Sequence, residues 1–179
     1  VITVAASAPT LYYQCSNHAG MGGQANTNST FGSSNFSGNI QSTVSAGSTQ
    51  GFSIVSYTGN GSATATFGHG LNAIPKTIFL KKRSDIVDWV VYHEAITYAN
   101  RIKLNTTDAS ASSPNWRATP NTSVFNSNSS NIINNSGDTY IAYVFAEKQG
   151  YSKFGSYTGN GNADGTFVYT GFKPAWVMI

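Results

Sequence analysis

Gly51-Phe52-Ser53-Ile54-Val55-Ser56-Tyr57-Thr58-Gly59-Asn60-Gly61 is the stretch whose reading decides the fold. From Gly51 to Tyr57 the side chains alternate in the two-residue rhythm of a strand. Thr58-Gly59-Asn60-Gly61 follows as a strong turn, because Asn and Gly tolerate the positive φ that tight turns require. Ser62 to Phe67, rich in Thr and Ala, then reads as the returning strand of a hairpin.

The same words occur twice. Ser56-Tyr57-Thr58-Gly59-Asn60-Gly61 recurs as Ser156-Tyr157-Thr158-Gly159-Asn160-Gly161, an offset of 100 residues (156 minus 56). The flanks match as well: Gly51-Phe52-Ser53 with Gly150-Tyr151-Ser152, Ala63, Thr66 and Phe67 with Ala163, Thr166 and Phe167, and Pro75 with Pro174 after a one-residue slip. The spacing predicts a tandem array with a unit of about 100 residues, the size of a β-sandwich domain.

Further strands follow from the same rules. Thr77 to Lys82 and Asp88 to His93 read as strands, the second apolar on both faces near its middle. Arg101 to Asn105 alternates, with Ile102 and Leu104 inward and Arg101, Lys103 and Asn105 outward. Thr139 to Glu147 is the most hydrophobic run. Its Tyr140, Ala142 and Val144 lie on one side and Ile141, Tyr143 and Phe145 on the other, which marks a central strand covered on both faces. Residues 106–137 are rich in Ser, Thr, Asn and Pro and read as a long loop, pinned to the core by Trp116, Val124 and Phe125. Long loops of this kind often carry function, so this one is a candidate contact surface.

The expected fold class is all-β, a β-sandwich repeat unit with antiparallel strands. Its expected organisation is a separate segment over 1–25, a Ser/Asn/Gly-rich linker over 26–50, the first unit over 51–148, and the start of a second over 149–179. The second copy holds only the first three strands. It is expected to pack on the first or to present open edges. The chain begins at Val1 and stops in what reads as a strand, so it is expected to be a fragment of a longer protein.

Composition supports strands and limits function. Charged residues make up 9% of the chain against a usual ~25%. Asn, Gly, Ser and Thr take their place, and these are poor helix formers. The net charge of +3 is mild, and its densest basic run, Lys81-Lys82-Arg83, is too short for a phosphate-binding patch. No nucleic-acid partner is expected. One cysteine, Cys15, excludes an internal disulfide. No apolar run reaches the ~20 residues that span a bilayer, so no membrane insertion is expected, and the start of the chain lacks the pattern of a signal peptide.

Residues 51–147 resemble a domain family of unknown function from marine tailed-bacteriophage virion structural proteins. The resemblance is carried by Gly51–Gly61, Gly68-His69-Gly70-Leu71, Trp89-Val90-Val91-Tyr92-His93 and Tyr140-Ile141-Ala142-Tyr143-Val144-Phe145-Ala146. Phe167-Val168-Tyr169-Thr170-Gly171-Phe172-Lys173-Pro174-Ala175 looks like the next repeat. The resemblance implies a non-catalytic tail-fibre or capsid-decoration module, in the virion and extracellular. Its implied partners are other virion proteins, a host-surface glycan or protein, and further copies of itself in a homo-oligomer. Trp89, Tyr92 and Trp116 are the candidate ligand-binding rings, because aromatic faces stack on sugars and proteins.

Residues 1–25 are similar to the last strand and ligand loop of a cupredoxin, on Pro9-Thr10-Leu11-Tyr12-Tyr13-Gln14-Cys15-Ser16-Asn17-His18-Ala19-Gly20-Met21-Gly22-Gly23. That resemblance implies copper held by Cys15 and His18 with Met21 as a weak axial ligand, soft donors suited to that ion. The pattern departs at the axial position, where the family places Met five residues after the His and this chain has Gly23. The family's other His would have to lie upstream, and fourteen residues precede Cys15. The site is incomplete within this sequence, so no cofactor is expected here and copper only in the intact protein.

Enzymatic patterns are sparse. The acidic residues are Asp85, Asp88, Glu94, Asp108, Asp138, Glu147 and Asp164. Asp88 and Glu94 flank one strand and are the pair that a glycosidase would need; their plainer reading is exposed strand-end acids. No Gly-x-Ser-x-Gly elbow occurs. His69 reads as a loop residue and His93 as a half-buried strand end. Catalysis is not expected, with a polysaccharide-degrading tail enzyme as the competing reading.

Overall fold

The computed structural model describes residues 32–113 and 115–179, and also residues 16–17 and the backbone of β1 (Leu11–Gln14) and β2 (Gly22–Ala25). The fold is all-β and antiparallel, as expected. β3 (Ser33–Asn35), β4 (Ser42–Gly47), β5 (Phe52–Thr58), β7 (Pro75–Lys82), β8 (Val90–His93), β9 (Asn100–Lys103), β10 (Ala111–Ser112) and β12 (Thr139–Ala146) form one sheet in the order β10-β9-β8-β7-β12-β5-β4-β3. β6 (Thr66–Gly68) and β11 (Val124–Asn126) pair in a second layer. β1 and β2 form an antiparallel hairpin. Among the described residues no helix is long and apolar enough to cross a membrane.

Alternation sets the core. Val55 and Tyr57 on β5, Tyr140, Ala142 and Val144 on β12, Ile78 and Leu80 on β7, and Val90 and Tyr92 near the end of the sheet point to one side. That side is covered by Phe67 of β6, Phe125 of β11, and Leu71, Trp116 and Ile133 from the connections. The rings interlock: Tyr57 lies 3.9 Å from Phe67 and 5.0 Å from Tyr140, and Phe67 lies 5.1 Å from Phe125. Such pairs add about 0.5–1.5 kcal/mol each beyond the apolar area they bury.

The expected hairpin over 51–67 does not form. Both flanks of β5 are already occupied, by β4 and by β12. The turn instead seats on the segment before β12: Gly59 N–H donates to Asp138 O at 2.9 Å, and Gly61 N–H to Asn134 O at 3.0 Å. Beyond it the chain crosses to the second layer, where β6 pairs with β11.

The linker expected over 26–50 gives way to two strands. β4 pairs with β5 along its whole length, and β3 closes that edge of the sheet. Little in the side chains announces this, because the buried face of β4 carries Ser42 beside Val44. Ser42 stays soluble in the core by donating from Oγ to the Gly68 carbonyl at 2.8 Å, which ties the sheet to the second layer. Residues 37–40 run along β6, with Asn39 bonded to Thr64 and Thr66 and Ile40 bridged to Phe67.

The long loop is part of the core's cover. β10 and β11 lie within it, and Asn115, Trp116, Ser127, Ser130, Ile133 and Asn134 are buried. Its inward face is therefore spent on packing. Leu104, expected inward, is exposed. Residues 153–179 carry no strand, and most of their side chains are exposed. The three strands expected of a second copy are absent there. Its first segment reaches only an isolated bridge between Lys148 and Ser152.

Candidate functional site

The second face of the sheet is also apolar. β12 presents Ile141, Tyr143 and Phe145 there, β5 presents Phe52 and Ile54, and β7 presents Phe79, in rows fixed by the register Tyr143↔Phe79, Tyr143↔Ile54 and Phe145↔Phe52. All are half-buried, against the fully buried residues of the core face. Their cover is largely one another. Phe52 stacks on Tyr143 at 6.4 Å with the planes 7° apart, Phe145 meets Phe52 at 5.0 Å and Phe79 at 5.3 Å, and Phe154 reaches over from the C-terminal segment to Phe145 at 6.1 Å.

Trp89 completes this platform, stacked on Tyr143 at 6.2 Å. Its position is set through its backbone. Its N–H donates to Asn105 Oδ1 at 3.0 Å, and its carbonyl accepts from Leu104 N–H at 3.2 Å. Asn105 is itself held by Asp88 Oδ1 at 3.0 Å. Lys81, on the same face as Ile141, donates from Nζ to the Val87 carbonyl. Lys81 is thus the charged side chain that shares the face of the aromatic platform, while Asp88 and Asn105 brace the Trp89 backbone. The sequence signal for this face was the double-sided hydrophobicity of Thr139 to Glu147; Phe52, Phe79 and Phe154 were missed because each looks like ordinary core material on its own.

Of the three rings proposed to meet a ligand, only Trp89 lies at this surface. Tyr92 is 1% exposed and Trp116 3% exposed, and they meet edge-on at 5.8 Å inside the core. The correction has a simple cause. Tyr92 shares a face with Val90 and pairs with Ile78, so the strand that exposes one side must bury it. Trp116 anchors the long connection, with its indole N–H unpartnered among the described residues. Cys15, His18 and Met21 lie outside the described residues. Among the described residues, no three His, Cys, Asp or Glu side chains are grouped to hold a metal ion.

The ionisable groups are tied in pairs. Six of the seven acidic residues contact a lysine: Glu94 with Lys76, Asp85 and Asp138 with Lys82, Asp88 and Asp108 with Lys103, and Glu147 with Lys153. Asp88 and Glu94 thus serve different lysines. The hydrogen bond from Asn105 and then the Lys103 contact hold Asp88 below its ordinary pKa. Hydrogen bonds from Lys82, Asn135 and Ser84 pull Asp138 from 3.8 to about 2. Carboxylates in this state are permanent anions, unsuited to donating a proton near neutrality.

The histidines are engaged too. His69 is buried, with Nδ1 accepting from Leu71 N–H at 3.2 Å and Nε2 at 3.0 Å from the Asn121 carbonyl. The neutral ring with its proton on Nε2 satisfies both contacts, and burial lowers its pKa. His93 Nδ1 accepts from Ala95 N–H and starts the 3-10 turn Glu94–Ile96.

Comparison with known families decides the relationship. A family model for a domain of unknown function matches residues 24–179. The chain belongs to the DUF7483 family. The DUF7483 match takes in β3 and β4, which agrees with their place in the sheet, and it runs on through the C-terminal segment. No curated protein and no solved structure matched the chain.

Proposed function

We propose that this DUF7483 chain is a non-catalytic structural and adhesive module of a phage virion, in a tail fibre or capsid decoration, and that its outer sheet face is where it meets a host-surface glycan or protein. One observation carries the reading. A continuous platform of Trp89, Tyr143, Phe52, Phe145 and Phe79 stands half-open on the most central strands of the sheet. Rigid aromatic faces bind at low entropic cost, and Lys81 on the same face supplies a polar contact that orients a ligand. The pairing of the carboxylates with lysines supports a scaffold's role over a catalyst's.

The test is binding of the purified chain to an array of bacterial surface glycans and to host cells. Trp89→Ala with Tyr143→Ser should weaken binding about tenfold or more, equivalent to ~1.4 kcal/mol or more, without lowering the melting temperature in proportion. Binding that ignores both substitutions would overturn the assignment of the face. Absence of the protein from purified virions, or release of reducing sugar from host glycans, would overturn the role.

A further inference from the structure

The two copies of Ser-Tyr-Thr-Gly-Asn-Gly have the same local shape. Asn60 Oδ1 accepts from Ser62 N–H at 2.9 Å, and Asn160 Oδ1 accepts from Asn162 N–H at 3.0 Å. Gly61 has φ +71° and Gly161 +67°; Gly51 has +72° and Gly150 +73°. Thr166 Oγ1 reaches back to the Thr158 carbonyl at 2.8 Å and holds the second turn closed.

Their surroundings differ. The first copy is a plug in a socket made by residues 133–140. Tyr57 donates its hydroxyl proton to Ile133 O at 2.7 Å, Asn60 N–H donates to Asn134 Oδ1 at 3.0 Å, and the amides of Gly59 and Gly61 are bonded to Asp138 and Asn134 as described. Gly137 N–H returns a bond to Gly59 O at 3.0 Å. The fit is close enough to demand glycine: a Cβ at Gly59 would stand 2.3 Å from Asn135 O and 3.0 Å from the Tyr140 ring. The second copy has no such socket. Tyr157 is 49% exposed, and a Cβ at Gly159 would meet nothing within 4 Å. Among the described residues neither the Gly159 nor the Gly161 amide has a backbone partner. Gly159 has no positive φ and no neighbour, so nothing in its present setting asks for glycine.

We propose that Ser156–Gly161 is a preformed plug, and that its partner is a second sheet of this same design, presenting a loop with the Asn-Asn-Ser-Gly-Asp-Thr-Tyr chemistry of Asn134–Tyr140. The small residue at Gly159 is then a fit to that absent loop, as Gly59 is to the present one. The inference is independent of what the aromatic face binds.

The test extends the full chain. Ala175-Trp176-Val177-Met178-Ile179 stands in register with Lys76-Thr77-Ile78-Phe79-Leu80 once Pro174 is laid on Pro75. A second copy of the Lys81–Lys148 sequence is therefore appended after Ile179, and amide hydrogen exchange is followed at Gly159 and Gly161. In the extended chain both amides should slow on the order of a hundredfold relative to the original chain, the behaviour of amides inside cooperative structure. Gly159→Val should abolish that protection and leave Gly59 and Gly61 protected, which shows the first unit still folded. Unchanged exchange at Gly159 and Gly161 in the extended chain, or protection that survives Gly159→Val, overturns the proposal.

Discussion

The Tyr57 hydroxyl donates to the Ile133 carbonyl at 2.7 Å, across 76 residues of sequence. This bond joins the middle of the sheet to the segment that covers it, and burial around it raises the Tyr57 pKa well above the ordinary value. Tyr57→Phe keeps the ring contacts and leaves a buried carbonyl unpaired. It should cost about 1–3 kcal/mol of stability, read from the urea midpoint at constant m-value. Tyr157→Phe, on an exposed copy of the same residue, should leave the midpoint unmoved.

The same contrast holds for glycine. Gly59→Ala would push a methyl group against Asn135 O and the Tyr140 ring and should destabilise by about 1–3 kcal/mol. Gly159→Ala in the same chain should stay within about 0.5 kcal/mol of the parent. Equal effects at the two positions would mean that the first turn is not seated as described.

The two faces of the sheet should differ in their response to truncation. Ile78 is fully buried on the core side, and Ile78→Ala should cost about 2–5 kcal/mol. Ile54, half-buried on the outer side, should cost clearly less when cut to Ala. Comparable losses would show that the outer face is as tightly covered as the core.

Acid should act in two windows. His69 is held neutral, with a pKa below its ordinary 6.5 because of burial. The unfolded chain therefore binds this proton more readily, and stability falls as pH drops through about 6.5 and below. His93, also lowered, adds to the same slope. Asp138, held at about 2 against 3.8, contributes stability that is present above about 4 and lost as pH falls toward 2. Urea titrations from pH 8 to pH 2 should show both declines. The first should shrink in His69→Gln and the second in Asp138→Asn; a flat profile between pH 7 and 5 would refute the His69 assignment.

Much of this fold is legible in the residues. β5, β7, β8 and β12 carry Ile, Val, Phe and Tyr in alternation, and the apolar residues on both sides of β12 announce its central place. β3 and β4 escape the same reading because their inward face uses Ser42, whose hydroxyl finds a carbonyl only in the folded state. The turn at Gly59-Asn60-Gly61 has the composition of a hairpin, and composition does not reveal that β12, from eighty residues on, takes the place beside β5. Burial of Tyr92 and Trp116 is a tertiary outcome as well. Trp89 and Tyr92 sit three residues apart with similar chemistry, and only the pairing of β8 with β7 decides which one meets solvent.

β12 leaves the sheet toward residue 150 with a strand bonded along each side, whereas the 32–35 end enters through a three-residue border strand. Both ends leave at the same end of the sheet, so a pull applied between them would peel β3 from the border and open β12 from Phe145 inward, bond by bond in each case. In single-molecule stretching the first yield should therefore come at β3 and β4 under low force. The β5-β12-β7 trio, in which β12 must part from two neighbours, should yield after it, also stepwise and without a high-force peak, because of where the polypeptide exits.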